Sequence, residues 1–205
     1  MLEFLTGTGL AVAAGLNAYI PMILIGLASR FLDFFQLPET WRWLENPWVL
    51  IILGVLLVIE IVADKIPVVD TVNDWIQTIV RPAAGGIVFG AGTGSTTALV
   101  EDPASFFQSN QWVPIVTGIV IALFVHGGKM IARPAINAAT LGVGAPVVST
   151  AEDVSSVLMS LFAILLPVLV LLGIAGLVVG FVALYRRATR RRRQRAAASE
   201  KVDST

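Results

Sequence analysis

Ionisable side chains are spaced at helical intervals in an otherwise apolar segment near residue 60. Glu60 and Asp64 are four residues apart, so a helix places both carboxylates on one face. Lys65 follows directly, and Asp70 continues the acidic series. Charged groups within apolar segments are costly and commonly mark ion or proton pathways. We therefore expect these four residues to contribute to a polar path that binds an ion or carries protons.

A second polar stripe contains basic side chains. Lys129 and Arg133 follow His126 by three and seven residues, so all three share one side of a helix, and Asn137 extends that side by another turn. Imidazole changes its charge near neutral pH, which suits a proton relay. We expect the acidic and basic stripes to face each other, with Glu60 or Asp64 paired to Lys129. Asp70 or Asp74 is expected to pair with Arg133 or Arg81.

Two interpretations of the stripes stay open at this stage. In the structural one, paired charges set the register of the helices and mark the inner boundary of the membrane. In the functional one, Glu60, Asp64 and His126 bind a cation or relay protons through the helix bundle. A metal site is not expected, because the sequence shows no dense spacing of metal ligands.

Asn17 lies near the middle of the first apolar stretch, four residues before Pro21. Proline has no backbone N–H, so it frees the carbonyl of Asn17. Asn17 can then bind across helices, or its carbonyl can coordinate an ion; the alternative is a kinked helix used for packing. Further helix breaks are predicted at three other prolines: Pro67, Pro82 and Pro134.

The composition indicates the elements that must position these residues. The chain has 205 residues, of which 56% are apolar and 14% charged, with one His and no Cys. A soluble domain, intrinsic disorder, disulfides, and Cys-based or multi-His metal sites are therefore excluded. The sequence predicts an all-α, polytopic transmembrane helix bundle. Four apolar stretches are long enough to cross a bilayer: 5–29, 48–64, 113–132 and 155–184. The last is longer than needed, so it is expected either to tilt or to kink near Pro167.

Two more stretches, 83–100 and 135–151, are rich in small residues and either cross or re-enter. The predicted number of spans is therefore about six, within a range of four to six. The two stretches resemble each other, since both begin with Arg-Pro-Ala and both lead into a Glu-Asp pair predicted to lie in an outer loop, Glu101-Asp102 and Glu152-Asp153. This indicates a degenerate repeat of about 52 residues, with chance similarity as the alternative.

Basic residues predict the orientation of the chain. Eight of the 14 Lys and Arg residues follow Leu184, which is typical of a cytoplasmic end. We predict a transmembrane domain at 1–185 and a disordered cytoplasmic tail at 186–205, with both termini inside. Besides the bilayer itself, the partner expected for the tail is anionic lipid, and no nucleic-acid partner is expected. The residues expected to contact headgroups are Arg186, Arg187, Arg190 and Arg191.

Four motifs occur in order along the chain: AGLNAYIP at 14–21, EIVADKIPVVD at 60–70, RPAAG at 81–85 and HGGK at 126–129. In these the sequence resembles the bacterial membrane family catalogued as domain of unknown function 4126, over residues 5–185. The resemblance implies a multi-pass protein of the bacterial inner membrane. It implies no activity, substrate or residue role.

The expected function is that of a small transporter or channel-like protein for an ion or small solute, with coupling to protons. The alternative is a non-transporting subunit or assembly protein of a membrane complex. A transporter predicts a polar cavity that reaches Glu60 or Asn17, whereas a subunit predicts dry, mutually paired charges. An enzyme acting on lipid headgroups is a weaker third hypothesis, since no catalytic motif is present. We expect no cofactor, and small-residue faces favour a homo-oligomer or a membrane-complex partner.

Overall fold

The structure is a computed structural model that describes residues 1–94, 110, 112–140, 144–183 and 186–187. Within these ranges the regular secondary structure is entirely helical, which confirms the predicted all-α class. In chain order the helices are α1 (Leu2–Leu16), α2 (Tyr19–Phe31), a 3-10 helix (Glu39–Glu45), α3 (Pro47–Ala63), α4 (Pro67–Gly92), α5 (Trp112–Thr140), α6 (Ala145–Leu165) and α7 (Leu169–Ala183).

The first apolar stretch is broken within the predicted segment. α1 ends at Leu16, and Asn17 has an extended backbone with φ −145° and ψ 123°. The Asn17 side-chain oxygen accepts hydrogen bonds from the N–H groups of Tyr19 (3.0 Å) and Ile20 (3.2 Å), so it caps α2. Pro21 lies in the first turn of α2, where a missing N–H leaves no helical hydrogen bond unmade. The break is therefore at Asn17 and not at Pro21.

The other prolines behave in two different ways. Pro67 is the first residue of α4, so the chain does break before it, as predicted. Pro167 likewise separates α6 from α7. The predicted breaks at Pro82 and Pro134 are wrong, because α4 and α5 continue through them. A single proline removes one hydrogen bond, and the packing of a long helix on its neighbours can offset that cost.

Helix boundaries also differ from the sequence prediction near residue 140. α5 runs to Thr140, and α6 already begins at Ala145. Glu152 and Asp153 therefore lie inside α6, and their predicted position in an outer loop is wrong. The matching pair at 101–102 lies outside the described residues.

Two helical segments are long and apolar enough to cross a membrane: Trp112–Pro134 and Ala145–Leu165. The 3-10 helix and α3 form a third candidate if they count as one span, although they are bent by 62° relative to each other. α1, α2 and α7 are apolar but shorter. The described residues thus provide two or three candidate spans, and the predicted number of about six is not confirmed.

Close backbone contact holds the centre of the bundle together. α1 packs against α4, α5 and α6, and α4 packs against α5. A Cβ atom on Gly118 in α5 would overlap the carbonyl oxygen of Gly85 in α4, and a Cβ on Gly15 in α1 would come within 2.7 Å of the Ala122 carbonyl oxygen. Small residues therefore bring α1, α4 and α5 to a separation that side chains would prevent.

Polar and apolar side chains are distributed inside out along the first half of α4. Trp75 and Ile79 are 69% and 77% exposed, whereas Asp74 and Arg81 are buried. A helix on the surface of a water-soluble protein shows the opposite pattern. The polar side of α4 therefore faces the interior of the bundle.

Candidate functional site: a buried network of charged residues

Seven charged side chains meet in the interior, and each is at most 7% exposed. We call this set the charge network. It draws on the end of α3, on α4, on α5 and on α6, so four separate segments supply it. Its members are Glu60, Asp64, Asp74, Arg81, Lys129, Arg133 and Glu152.

Asp64 lies at the centre of the charge network. Its Oδ2 accepts hydrogen bonds from Arg133 Nη2 (3.0 Å) and Lys129 Nζ (3.3 Å), and Arg81 Nη2 lies 3.8 Å away. Its Oδ1 accepts from the Asn73 side chain at 2.9 Å. The predicted pairing of Asp64 with Lys129 is therefore confirmed, and Asp64 links the cations of α4 and α5.

Glu60 pairs with Arg81 instead of Lys129. Arg81 Nη2 donates to Glu60 Oε1 at 2.8 Å, and both side chains are almost completely buried. Glu60 Oε2 has no hydrogen-bond partner within the described part of the chain. A buried carboxylate oxygen without a donor is unfavourable when ionised. A proton or a cation bound at Glu60 Oε2 would therefore supply the interaction that this oxygen lacks.

Glu152 joins α6 to the network. It accepts from Arg133 Nη2 at 2.6 Å and lies 3.1 Å from Lys129 Nζ. The sequence analysis missed this role. A signal was present, because polar residues recur at three- and four-residue intervals along α6 and all are buried; they are Ser149, Glu152, Ser156 and Ser160.

Asp74 gives the charge network an excess of negative charge. Its carboxylate oxygens lie 3.8 Å from Lys129 Nζ and 4.0 Å from Arg133 Nη1, and its Oδ1 has no hydrogen-bond partner among the described residues. The network therefore contains four carboxylates and three cations. If all seven groups are ionised, one negative charge is left without a counter-charge in a buried environment.

His126 joins the network through Arg81. Arg81 Nη1 lies 3.3 Å from His126 Nδ1, and a guanidinium can only donate, so Nδ1 is the acceptor. The proton is then assigned to Nε2, which donates to Thr78 Oγ1 at 3.2 Å. Thr78 in turn donates to the Asp74 carbonyl at 2.9 Å. This hydrogen-bond pattern requires a neutral imidazole, fully buried beside the charges.

A hydrogen bond connects the break in the first stretch to α6. Asn17 Nδ2 donates to Asp153 Oδ1 at 3.0 Å, and Asp153 directly follows Glu152 of the charge network. Ser156 Oγ, one turn further along α6, donates to the carbonyl of Ala13 at 3.0 Å. The end of α1 is therefore held against the same face of α6 that supplies Glu152.

The remaining predicted residues lie elsewhere. Lys65 is half-buried and donates to the carbonyl of Ile61 one turn earlier in α3. Arg186 and Arg187 are exposed. Four predicted positions lie outside what the structure describes, either as whole residues or as side chains: Asp70, Asn137, Arg190 and Arg191.

The structure also indicates what the site could bind. Among the described residues, no group of three or more His, Asp or Glu side chains is arranged to hold a metal ion. A cavity of about 320 Å³ lies between α6 and α7, with Glu152 in its lining. Apolar side chains form most of its wall, and neither Glu60 nor Asn17 contributes to it.

Sequence comparison identifies the family. The profile described as "Domain of unknown function (DUF4126)" matches residues 4–187. The chain belongs to this family. The match confirms the resemblance drawn from the four motifs, and it covers every member of the charge network. Comparisons with curated proteins and with solved structures give no match.

Proposed function

We propose that this member of the DUF4126 family is a multi-pass membrane protein that transports an ion or small solute, and that its charge network binds and releases one proton during transport. The observation that carries the proposal is that the charge network, among the described residues, has one more buried carboxylate than buried cations. Four ionised carboxylates with three cations have a net charge of −1, so the site becomes neutral only when one positive charge is added.

The inside-out pattern supports placement in a membrane. The exposed face of α4 carries Trp75 and Ile79, and α3 exposes a continuous apolar surface that includes Ile52 and Val58. Such surfaces are stable against lipid and unfavourable in water. Charged residues within membrane proteins face the bundle interior and pair with one another, as the charge network does.

Charge balance favours transport over a purely structural network. A network that only fixed helix register would be most stable with equal numbers of carboxylates and cations, because an unpaired buried charge is destabilising by several kcal/mol. Among the residues that the structure describes, no group donates to Glu60 Oε2 or to Asp74 Oδ1. A proton is favoured over a metal ion, because no three of the described carboxylates are arranged to hold one.

The broken helices supply elements that can move. α1 and α2 are separated at Asn17, and α6 and α7 are separated near Pro167. Interrupted helices near a buried polar site are a recurring feature of transporters. The hydrogen bond from Asn17 to Asp153 connects one break to the helix that carries Glu152. Movement at the break would therefore shift α6 and, with it, Glu152 of the charge network.

The sequence supports a proposal for the orientation and the location of the chain. We propose four to six crossings of the bacterial inner membrane, with the Arg-rich tail in the cytoplasm. The support is the concentration of basic residues after Leu184 and the bacterial membrane character that the family resemblance implies.

A second candidate is a non-transporting subunit of a membrane complex. Two observations favour it: the charges are mutually paired over short distances, and the cavity between α6 and α7 does not reach Glu60 or Asn17. In this candidate the network fixes the register of α3 to α6, and the exposed apolar faces bind a partner.

Flux measurements in liposomes separate the two candidates. Purified wild-type protein would be compared with Glu60→Gln, Asp64→Asn and His126→Ala at two pH values, for protons, sodium and potassium. Asp33→Asn is the matched control, because Asp33 is an exposed acid outside the network. Proton flux in the wild type and the control that is lost in Glu60→Gln supports the proposal. Flux equal to that of empty liposomes for all three ions rejects an ion pathway through the charge network and favours the subunit.

A further inference from the structure

An apolar groove between α6 and α7, with Leu16 of α1 in its wall, borders the charge network at Glu152. It has a volume of about 320 Å³, which is at the lower end of the range for ligand pockets. α6 contributes Leu158, Met159 and Phe162, and α7 contributes Leu177 and Phe181. An apolar occupant would therefore bury its surface on both sides.

Glycines on α7 create this space and give it a direction. Gly176 and Gly180 are one turn apart and line the groove, and a Cβ on either would meet nothing within 4 Å. A Cβ on Gly173, one turn earlier, would come within 2.9 Å of Met159 Sδ. The groove is therefore narrow near the α6–α7 break and open towards the C-terminal end of α7.

In the sequence, two basic residues follow the part of α7 that lines the open end of the groove. Arg186 and Arg187 come five and six residues after Phe181 and are exposed. The one acid in the lining, Glu152, is already bonded to Arg133 and Lys129, so its charge is compensated within the protein. The groove thus combines an apolar lining with a pair of exposed arginines a few residues further along the chain.

We infer that this groove binds one acyl chain of an anionic phospholipid, whose phosphate contacts Arg186 and Arg187. The groove matches an apolar chain, and the arginines match an anionic headgroup. The outer face of α7 exposes Leu172 and Val179, so lipid is the surrounding medium from which the chain would enter. The site does not depend on transport and would be occupied in either candidate function.

An α-helix with its side chains is about 10 Å across. A single extended hydrocarbon chain is much thinner, so it suits the narrow end of the groove beside Gly173 and Met159 better than a helix from a second copy does.

Native mass spectrometry of the purified, detergent-solubilised chain tests the inference. The probes are phosphatidylglycerol and phosphatidylcholine with the same acyl chains. Gly176→Leu and Gly180→Leu fill the groove, whereas the control Gly54→Leu adds the same side chain at a glycine of α3 where a Cβ meets nothing. Arg186→Gln with Arg187→Gln removes the charges without touching the groove.

We expect the wild type and Gly54→Leu to bind phosphatidylglycerol at least tenfold more tightly than phosphatidylcholine. Gly176→Leu should weaken binding of both lipids, and the double arginine variant should remove only the preference for phosphatidylglycerol. Equal binding by the wild type and by both groove-filling variants would overturn the inference. So would a dimer that Gly176→Leu dissociates, since a second copy would then cover the groove.

Discussion

Arg133 of α5 and Glu152 of α6 lie 2.6 Å apart in the interior of the bundle, with the Asp64 carboxylate 3.0 Å from the same guanidinium nitrogen. Arg133 therefore joins the end of α3 to α6. Both residues are about 95% buried. Since Lys129 also contacts Asp64 and Glu152, one turn of α5 supplies two cations to two carboxylates from different helices.

Removing Arg133 alone should destabilise the protein strongly. Arg133→Met would leave two more negative charges than positive ones in the network, and we expect it to lower the free energy of unfolding by about 3–5 kcal/mol. The double variant Arg133→Met/Glu152→Met restores the original excess of one and should recover more than half of that loss. Thermal unfolding in detergent measures both effects. Arg42→Met, at an exposed position, is the control. Additive losses in the double variant would contradict the pairing.

Glu60 or Asp74 should hold a proton at neutral pH if the charge network needs one added positive charge to become neutral. We expect an infrared carbonyl band of a protonated carboxylic acid in the wild type, because a fully ionised network would keep one uncompensated buried charge. Glu60→Gln or Asp74→Asn should remove the band, since either change leaves three carboxylates for three cations. Asp33→Asn should retain it. A wild-type spectrum without such a band would show that the extra charge is not a proton.

Gly118 should tolerate no side chain. A Cβ there would overlap the Gly85 carbonyl oxygen and would lie 2.5 Å from the Cβ of Phe89 in α4. We expect Gly118→Ala to lower the free energy of unfolding by about 1–3 kcal/mol, because α4 and α5 must separate. Gly128→Ala is the matched control in α5, where a Cβ meets nothing. It should be neutral or slightly stabilising, since alanine favours helix. Equal effects of the two changes would contradict the close contact.

Asn17 performs two roles that substitutions can separate. Its oxygen caps α2, and its amide nitrogen donates to Asp153. Asn17→Ala removes both and should destabilise the protein by about 1–3 kcal/mol. Asn17→Asp keeps the cap but places a second carboxylate against Asp153, so its loss of stability should shrink as the pH falls and the pair takes up a proton. A pH-independent loss for Asn17→Asp would show that the contact with Asp153 contributes little.

Much of the site was predictable because helical spacing is a local property. Glu60 with Asp64, and His126 with Lys129 and Arg133, do share faces, and those faces do meet. The sequence predicted the Asp64–Lys129 pair only as one of two alternatives, because the choice of partner depends on the rotation and height of helices that are distant in sequence. Glu60 accordingly binds Arg81 and not Lys129.

Glu152 and Asp153 show why the loop prediction failed. Two adjacent acids between a small-residue segment and an apolar segment suggest a solvent-exposed turn. In the structure, Arg133, Lys129 and Asn17 supply positive charge and a hydrogen-bond donor, so these acids remain inside α6. Only contacts between helices provide that compensation, and no local pattern contains them. Pro82 and Pro134 were misjudged for the same reason, since tertiary packing outweighs local helix propensity.

The long sequence separation within the charge network affects how the protein is made. Asp64 is 65 residues before Lys129 and 69 before Arg133. At 5–20 residues per second, a ribosome needs about 3–14 s to bridge that interval. During this time Asp64 has Asn73 and Arg81 of α4 near it but neither of the α5 cations that donate to it. A carboxylate without a counter-charge in a bilayer costs about 3 kcal/mol. In the proposed membrane setting, we therefore expect α3 and α4 to become fully stable at their final depth only with α5, so that the three helices insert together.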